Sequence, residues 1–431
     1  MAMRWGILGP GVIESTRRTR TLGLGVSTRL FNDLAVPGLG RVWFGKQLYL
    51  ATLGVRVAEM AGDKVTKIAV ANAIEALACW YALNESNLVD GRIQGRVKLA
   101  NITESEFSFK KARQPSFYVT QPMRMSCVTA LPALGLVEAK GGGRFNGFSC
   151  SLAGIQFVEA AGQKYRPFNS TVEGYLLQWA LGKADRINTE ALRNALTPLN
   201  PLPEEARKLL KERILQGAPG GSPEEHKRRN DAFQWVASRR KGATVVSWSE
   251  RPAQISPEHW RDMHAGACFF AMRDAAYAVL DALEQLIGTR EGNFALNSDL
   301  PEQVGKRLVE LRSRAKAFLE FKHADAEANR FGHEVMDPSD ESVLRRLVAR
   351  DGRILRLVGD KVCPGPAFKG GEVMIGADEI SESEEETSLT DQISWPDNIS
   401  YSIRNLWWMS LDLEGRLEEY LHPNAEETEN G

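Results

Sequence analysis

The sequence predicts a mainly α-helical, multidomain protein with one small α+β element between residues 116 and 161. Three observations lead there. At 431 residues the chain exceeds the size at which one hydrophobic core keeps growing. Apolar residues recur at helical spacing through most of its length. A single stretch places a helical pattern, two short extended runs and a second helical pattern in succession.

Composition sets limits on function before any motif is considered. Apolar residues make up 43% and charged residues 25%, ordinary values for a chain that buries a core. Lys plus Arg (54) nearly cancel Asp plus Glu (55), so a basic surface for a polyanion must be a local patch. Cys79, Cys127, Cys150, Cys268 and Cys363 lie far apart, form no CxxC pair and are odd in number. That pattern fits neither a zinc knuckle nor a disulfide framework, and points to a reducing compartment. No signal-peptide-like core opens the sequence and no apolar run reaches about 18 residues. The expectation is a cytoplasmic protein with no membrane contact.

Taken in order, residues 1–100 read as a helical N-terminal unit whose Gly-rich, basic opening is an arm. Arg41–Met60 and Lys64–Leu83 form its helices, separated at Ala61-Gly62-Asp63. The opening Gly6-Ile-Leu-Gly9-Pro-Gly11 resembles the first turn of a dinucleotide fold, but no strand precedes it and no acidic ribose partner follows at the required distance.

Residues 101–165 form the second unit. Thr120–Leu134 reads as a helix with Pro122 in its first turn, Leu136–Ala139 and Phe145–Cys150 as strands around a Gly-rich turn, and Ser151–Ala161 as a helix capped by Ser149 or Ser151. Residues 166–335 continue as a helical domain, with long helices predicted over Ser256–Ile287 and Pro301–Glu320 as an interaction surface. The last unit, 336–431, is small and mixed. It has a strand at Arg353–Val358, an acidic run at Asp378–Glu386 and a polar tail.

The 116–161 element resembles the winged helix-turn-helix domain of bacterial transcription factors such as the MarR-like group. The resemblance is carried by Val128-Thr-Ala-Leu-Pro-Ala-Leu-Gly-Leu-Val-Glu138, by Arg144-Phe-Asn-Gly-Phe148 and by Ser151-Leu-Ala-Gly-Ile-Gln-Phe-Val158. It implies a helix that enters the major groove and a wing that contacts the backbone or minor groove. Gln121, Arg124 and Ser126 would lie on or near the reading helix, and Lys140 and Arg144 would flank the wing turn. Lys110, Lys111 and Arg113, just upstream, would extend the positive footprint.

Two other chemistries are weighed beside this one. Glu138-Ala-Lys140 matches the E-x-K half of a metal-dependent nuclease motif, in which carboxylates hold a cation and a lysine orients water. Asp90 would supply the second carboxylate, with Glu104 a poorer substitute. His323, Asp325, His333 and Glu334 form the densest group of metal-ligand types, but their spacing matches no zinc signature. No P-loop or G-x-S-x-G is present. Trp407-Trp408 read as core anchors.

The function expected is therefore a non-catalytic DNA-associating or scaffold subunit of a larger, bacterial-type assembly, without cofactor or resident metal. Double-stranded DNA is the expected ligand. An ATPase or nuclease subunit, or a second copy, is the expected protein partner. Phage defence is a setting that would suit such a subunit. The alternatives are a nuclease using Asp90, Glu138 and Lys140, and a protein-interaction scaffold with no nucleic-acid contact.

Overall fold

In the computed structural model, the residues described are 20, 22–85, 90–139, 143–239, 247–289, 292–368 and 393–421. The chain is mainly helical and groups into two compact units, each assembled from separate stretches of sequence. The larger holds residues 32–260, 377–396 and 400–431; the smaller holds 1–31, 261–376 and 397–399. The opening arm, Lys140, the acidic run and the polar tail fall wholly or largely outside the described residues.

Helix α1 (Gly25–Ala35) is followed by α2 (Gly45–Met60) and α3 (Lys67–Glu85), the central pair of the larger unit. Helix α3 is rich in alanine and buried on nearly every side from Val70 to Ala82, as befits a helix apolar all round. Small residues let the pair close up. A Cβ on Gly54 would lie 2.6 Å from the Ala71 side chain, so only glycine fits there.

Short helices α4 (Arg96–Leu99) and α5 (Phe109–Ala112) follow. The helix expected over 120–134 is interrupted. It consists of α6 (Arg124–Cys127) and α7 (Ala130–Ala133), although Val128 and Thr129 between them keep right-handed helical angles. Pro132 contributes to the interruption, since it lacks the N–H that would reach back to the Val128 carbonyl.

Strands β1 (Val137–Ala139) and β2 (Phe148–Cys150) pair antiparallel, with Val137 opposite Cys150 and Ala139 opposite Phe148. Helix α8 (Leu152–Gly162) starts at Ser151, whose hydroxyl oxygen accepts from the Gly154 N–H at 3.0 Å. That start is wedged against the hairpin: a Cβ on Gly154 would meet the Leu136 carbonyl oxygen at 2.0 Å.

The larger unit continues through α9 (Val172–Ala180), α10 (Glu190–Leu196), α11 (Glu204–Gln216) and α12 (Pro223–Ser238). Ser222 and Glu225 close a reciprocal capping box at the start of α12. Helix α13 (Pro257–Thr289) matches the long helix expected at Ser256–Ile287. Its first residues belong to the larger unit and the remainder to the smaller.

The smaller unit then adds β3 (Phe294–Ala295), α14 (Glu302–Leu319), α15 (Ala326–Val335), α16 (Asp340–Asp351), β4 (Leu355–Val358) and β5 (Lys361–Pro364). The three strands form an antiparallel sheet in the order β3-β5-β4. Its helices meet on stacked and edge-on phenylalanines, with Phe31, Phe269 and Phe318 at centroid distances of 4.9–5.9 Å. Arg20 is bonded to Asp281 and Glu284 and lies beside Asp351.

The chain ends in the larger unit with α17 (Tyr401–Glu414) and α18 (Leu417–Leu421). Trp407 and Trp408 are 1% and 3% exposed, the core positions expected of them. They belong to a continuous run of indoles. Trp43, Trp408, Trp407, Trp395, Trp235, Trp260 and Trp248 follow one another at 4.7–6.3 Å between ring centroids. Among the described residues no helix is long and apolar enough to cross a membrane.

Candidate nucleic-acid interface

Helix α3 positions both basic segments picked out from the sequence. At its start, the Lys67 ammonium donates to the Asn146 carbonyl at 3.2 Å and the Ile68 N–H donates to the Asn146 side chain at 3.0 Å. The residues leading into β2 are thereby held at that end. Near its other end, the Trp80 indole N–H donates to the Ile102 carbonyl at 2.7 Å and its ring lies 5.3 Å from Phe107, just before α5. At the α-helical rise, Ile68 and Trp80 are about 18 Å apart along the axis. The hairpin and the Lys110–Arg113 segment are thus attached at different points along α3.

The middle of α3 receives the segment expected to read bases, and here Arg124 reaches in towards α3. The Arg124 guanidinium donates from Nε to Asn72 Oδ1 at 2.7 Å and lies 5.6 Å from the Phe145 ring centroid. One turn on, Glu75 is fully buried, and the Tyr118 hydroxyl donates to its Oε2 at 2.6 Å. Burial pushes the Glu75 carboxyl up to about 7, against the lowering influence of Tyr118 and of the Arg124 charge and N–H. Burial likewise raises the thiols of Cys79 and Cys127, which both feel the Glu75 charge. These are inert, structural cysteines. Gln121 and Ser126 are half-buried. Arg124 therefore serves the core beneath it.

The Lys110–Arg113 segment has the opposite character. Phe109 and Ala112 anchor α5 in the core, with Phe109 edge-on to Trp179 at 5.3 Å, and this turns Lys110, Lys111 and Arg113 outward. None of the three makes an ion pair among the described residues. Arg113 lies only over the Phe109 ring, at 5.9 Å. Beside them opens a cleft of about 910 Å³, lined on one wall by Lys110 and Arg113 and on the other by the turn after α9, including Asp185 and Arg186. Glu104 also lines it, accepting from the Asn188 amide at 2.8 Å. Lys183 and Arg186 are both exposed. Sequence spacing did not single out this second wall, because it lies 70 residues beyond the first and only the fold joins them.

The other basic clusters are bonded within the protein. Lys227 pairs with Asp231 at 2.6 Å and Arg228 with Glu224 at 2.9 Å, while Arg229 reaches the Pro37 and Gln216 carbonyls. Arg239 donates to the Ser394 carbonyl, Arg345 pairs with Glu341 and Asp360, and Arg346 pairs with Asp337. Arg144 is exposed beside the hairpin, and Lys140 lies outside the described residues.

Most of the carboxylates considered for metal chemistry are bonded within the protein. Asp90 is buried and held by Arg92 at 2.6 Å, and Arg92 additionally pairs with Glu418. Glu138 is exposed on β1, opposite Ser149. Asp325 caps α15 by accepting from the Ala328 N–H at 2.6 Å, and Glu334 pairs with Arg350 at 2.8 Å. Among the described residues no three His, Cys, Asp or Glu side chains converge so as to hold a metal ion.

No protein-family model, no curated protein and no solved structure matches the chain.

Proposed function

We propose that this protein is a non-catalytic, DNA-associating subunit of a larger assembly. In this reading it engages the phosphate backbone through Lys110, Lys111 and Arg113, with Arg186 and Lys183 across the cleft and Arg144 as a second contact. The observation that carries the reading is the contrast in pairing. These three side chains are exposed and make no ion pair among the described residues, while the basic clusters at 227–229, 239 and 345–346 are bonded internally. Unpaired surface cations release counterions when phosphate replaces solvent, which makes the affinity fall steeply with salt. Base reading by Arg124 is not part of the proposal, because its Nε–H is bonded to Asn72 and its guanidinium lies beside Phe145 in a half-buried position. The expected protein partner is an ATPase or nuclease subunit that supplies motor or chemistry.

The test is a salt titration of duplex binding with wild type and with a Lys110→Glu, Lys111→Glu, Arg113→Glu variant. The variant should lose two to three orders of magnitude in affinity, about 3–4 kcal/mol, with a shallower log K against log salt slope and an unchanged melting temperature. Binding insensitive to both salt and charge reversal would instead support the scaffold reading.

A further inference from the structure

The wall of the cleft that bears Arg186 continues to an aromatic residue in an unusual position. Pro167–Ser170 forms a turn closed by the Ser170 N–H donating to the Pro167 carbonyl at 2.9 Å. Its two central residues, Phe168 and Asn169, both lie in the left-handed region at φ 49° and 62°. Turns of this kind favour Asn and Gly at such positions, and a bulky aromatic there is a strained outlier. The conformation holds Phe168 outward, 47% exposed, whereas Phe107 and Phe109 nearby are 3% and 8% exposed. One face of its ring stacks on Tyr175 at 5.0 Å and 26°, and the Tyr175 hydroxyl donates to the Arg186 carbonyl. Tyr175 itself stands one helical turn before Trp179, which lines the cleft.

Phe168 and Tyr175 do not line the cleft itself. The Tyr175 hydroxyl on the Arg186 carbonyl ties their stacked, half-open aromatic face to the wall that bears Arg186, opposite Lys110 and Arg113, and the two together make a strip. We propose that this strip takes a single-stranded stretch of nucleic acid, with phosphates on Lys110, Arg113 and Arg186 and one base on the outer face of Phe168. The inference rests on the reading of the Lys110 face as a phosphate-binding surface and adds to it a class of ligand. Duplex ends its bases in a closed stack and has none to offer an isolated ring, whereas a single strand exposes a π-face at every residue. Charge complementarity favours the polyanion over an apolar peptide. The cleft's cations Lys110, Arg113 and Arg186 face Asp185 and Glu104, and the latter is already bonded to Asn188. Lys111 and Lys183 add positive charge at its margins.

The experiment compares binding of a 20-nucleotide oligothymidylate and a 20-base-pair duplex by the full chain and three variants. Phe168→Ala should weaken oligothymidylate binding roughly tenfold and leave duplex binding unchanged, the loss expected for one base–aromatic stack. Phe168→Trp should retain the single-strand affinity, which guards against a merely structural loss at the turn. The Lys110→Glu, Lys111→Glu, Arg113→Glu variant should weaken both ligands. If Phe168→Ala alters neither ligand while charge reversal still weakens both, the stacking inference is overturned and phosphate binding stands. If wild type binds neither oligonucleotide, both fall.

Discussion

Two basic segments flank the same helix and end with opposite fates. Lys110, Lys111 and Arg113 stand on or beside α5, whose Phe109 and Ala112 are pinned in the core, so the charged side chains point to solvent and make no ion pair among the described residues. Lys111 acts only at longer range on the exposed Glu106. Arg124 sits on α6, over the middle of α3, where Asn72 and Glu75 are buried polar groups that need a donor and a positive charge. A buried polar group left unbonded costs about 1–3 kcal/mol, so the local core claims the arginine before any ligand can. Availability of a cation is thus decided by the polarity of what lies beneath it.

The largest effect that bears on this contrast comes from Glu75. Its carboxyl has an ordinary value of 4.5 and is raised to about 7 by burial. Because the folded value lies above the unfolded one, the favourable contribution is complete below about pH 4.5. It is lost as pH rises through 7, a fall of about 3 kcal/mol. Glu75→Gln keeps an acceptor for Tyr118 and cannot ionise. Denaturant unfolding across pH 4.5–8 should therefore show a stability difference, variant minus wild type, that grows with pH in that window. Lys46 titrates in the adjacent range, since burial lowers its amine from 10.5 to about 7, and its stabilising contribution is lost as pH falls towards 7. The variant-minus-wild-type difference removes that background. A flat difference would show that Tyr118 and Arg124 fully offset the burial of the Glu75 charge, and the raised carboxyl would be overturned.

Arg124→Ala is the next test in size. It removes the donor to Asn72, which is 4% exposed, and the cation beside Phe145. The expected destabilisation is about 2 kcal/mol, with the Glu75 transition moving to higher pH. Oligonucleotide affinity should stay within twofold of wild type. A large loss of affinity with normal stability would invert the comparison and restore a reading role to this residue.

How much of this was legible in the sequence follows from the range over which each feature is set. Helix α13, the apolar face of α14 and the Ser151 cap are local matters of periodicity and hydrogen-bonding chemistry, and their residues announced them. The break at Val128–Thr129 was not anticipated, since the sequence predicts one helix over 120–134. The hairpin and the helix after it are present, but whether the whole 116–161 element is a winged helix rests on the resemblance. Two further things were not legible. The orientation of Arg124 depends on Asn72 and Glu75, about fifty residues earlier, and the partnership of Arg113 with Arg186 depends on packing between α5 and α9. Grouping into two units, each built from distant stretches, is likewise invisible to a reading that advances along the chain.

The smallest predicted effect is the one that measures the geometry. Arg144 is exposed next to the hairpin, at the end of α3 away from α5, about 18 Å by the helical rise. A duplex advances about 3.4 Å per base pair, so reaching both points takes at least five to six pairs. Arg144→Ala should reduce the salt slope for a 20-base-pair duplex by about one and cost a fewfold in affinity, under 1 kcal/mol, because one phosphate contact disappears. On a four-base-pair duplex, too short to span the separation, the same substitution should change nothing once the Lys110 segment is engaged. An equal loss on both lengths would place Arg144 and Lys110 within one contact, contrary to their attachment at opposite ends of a straight helix. No loss on either would confine phosphate binding to the α5 side, leaving the hairpin free for a protein partner.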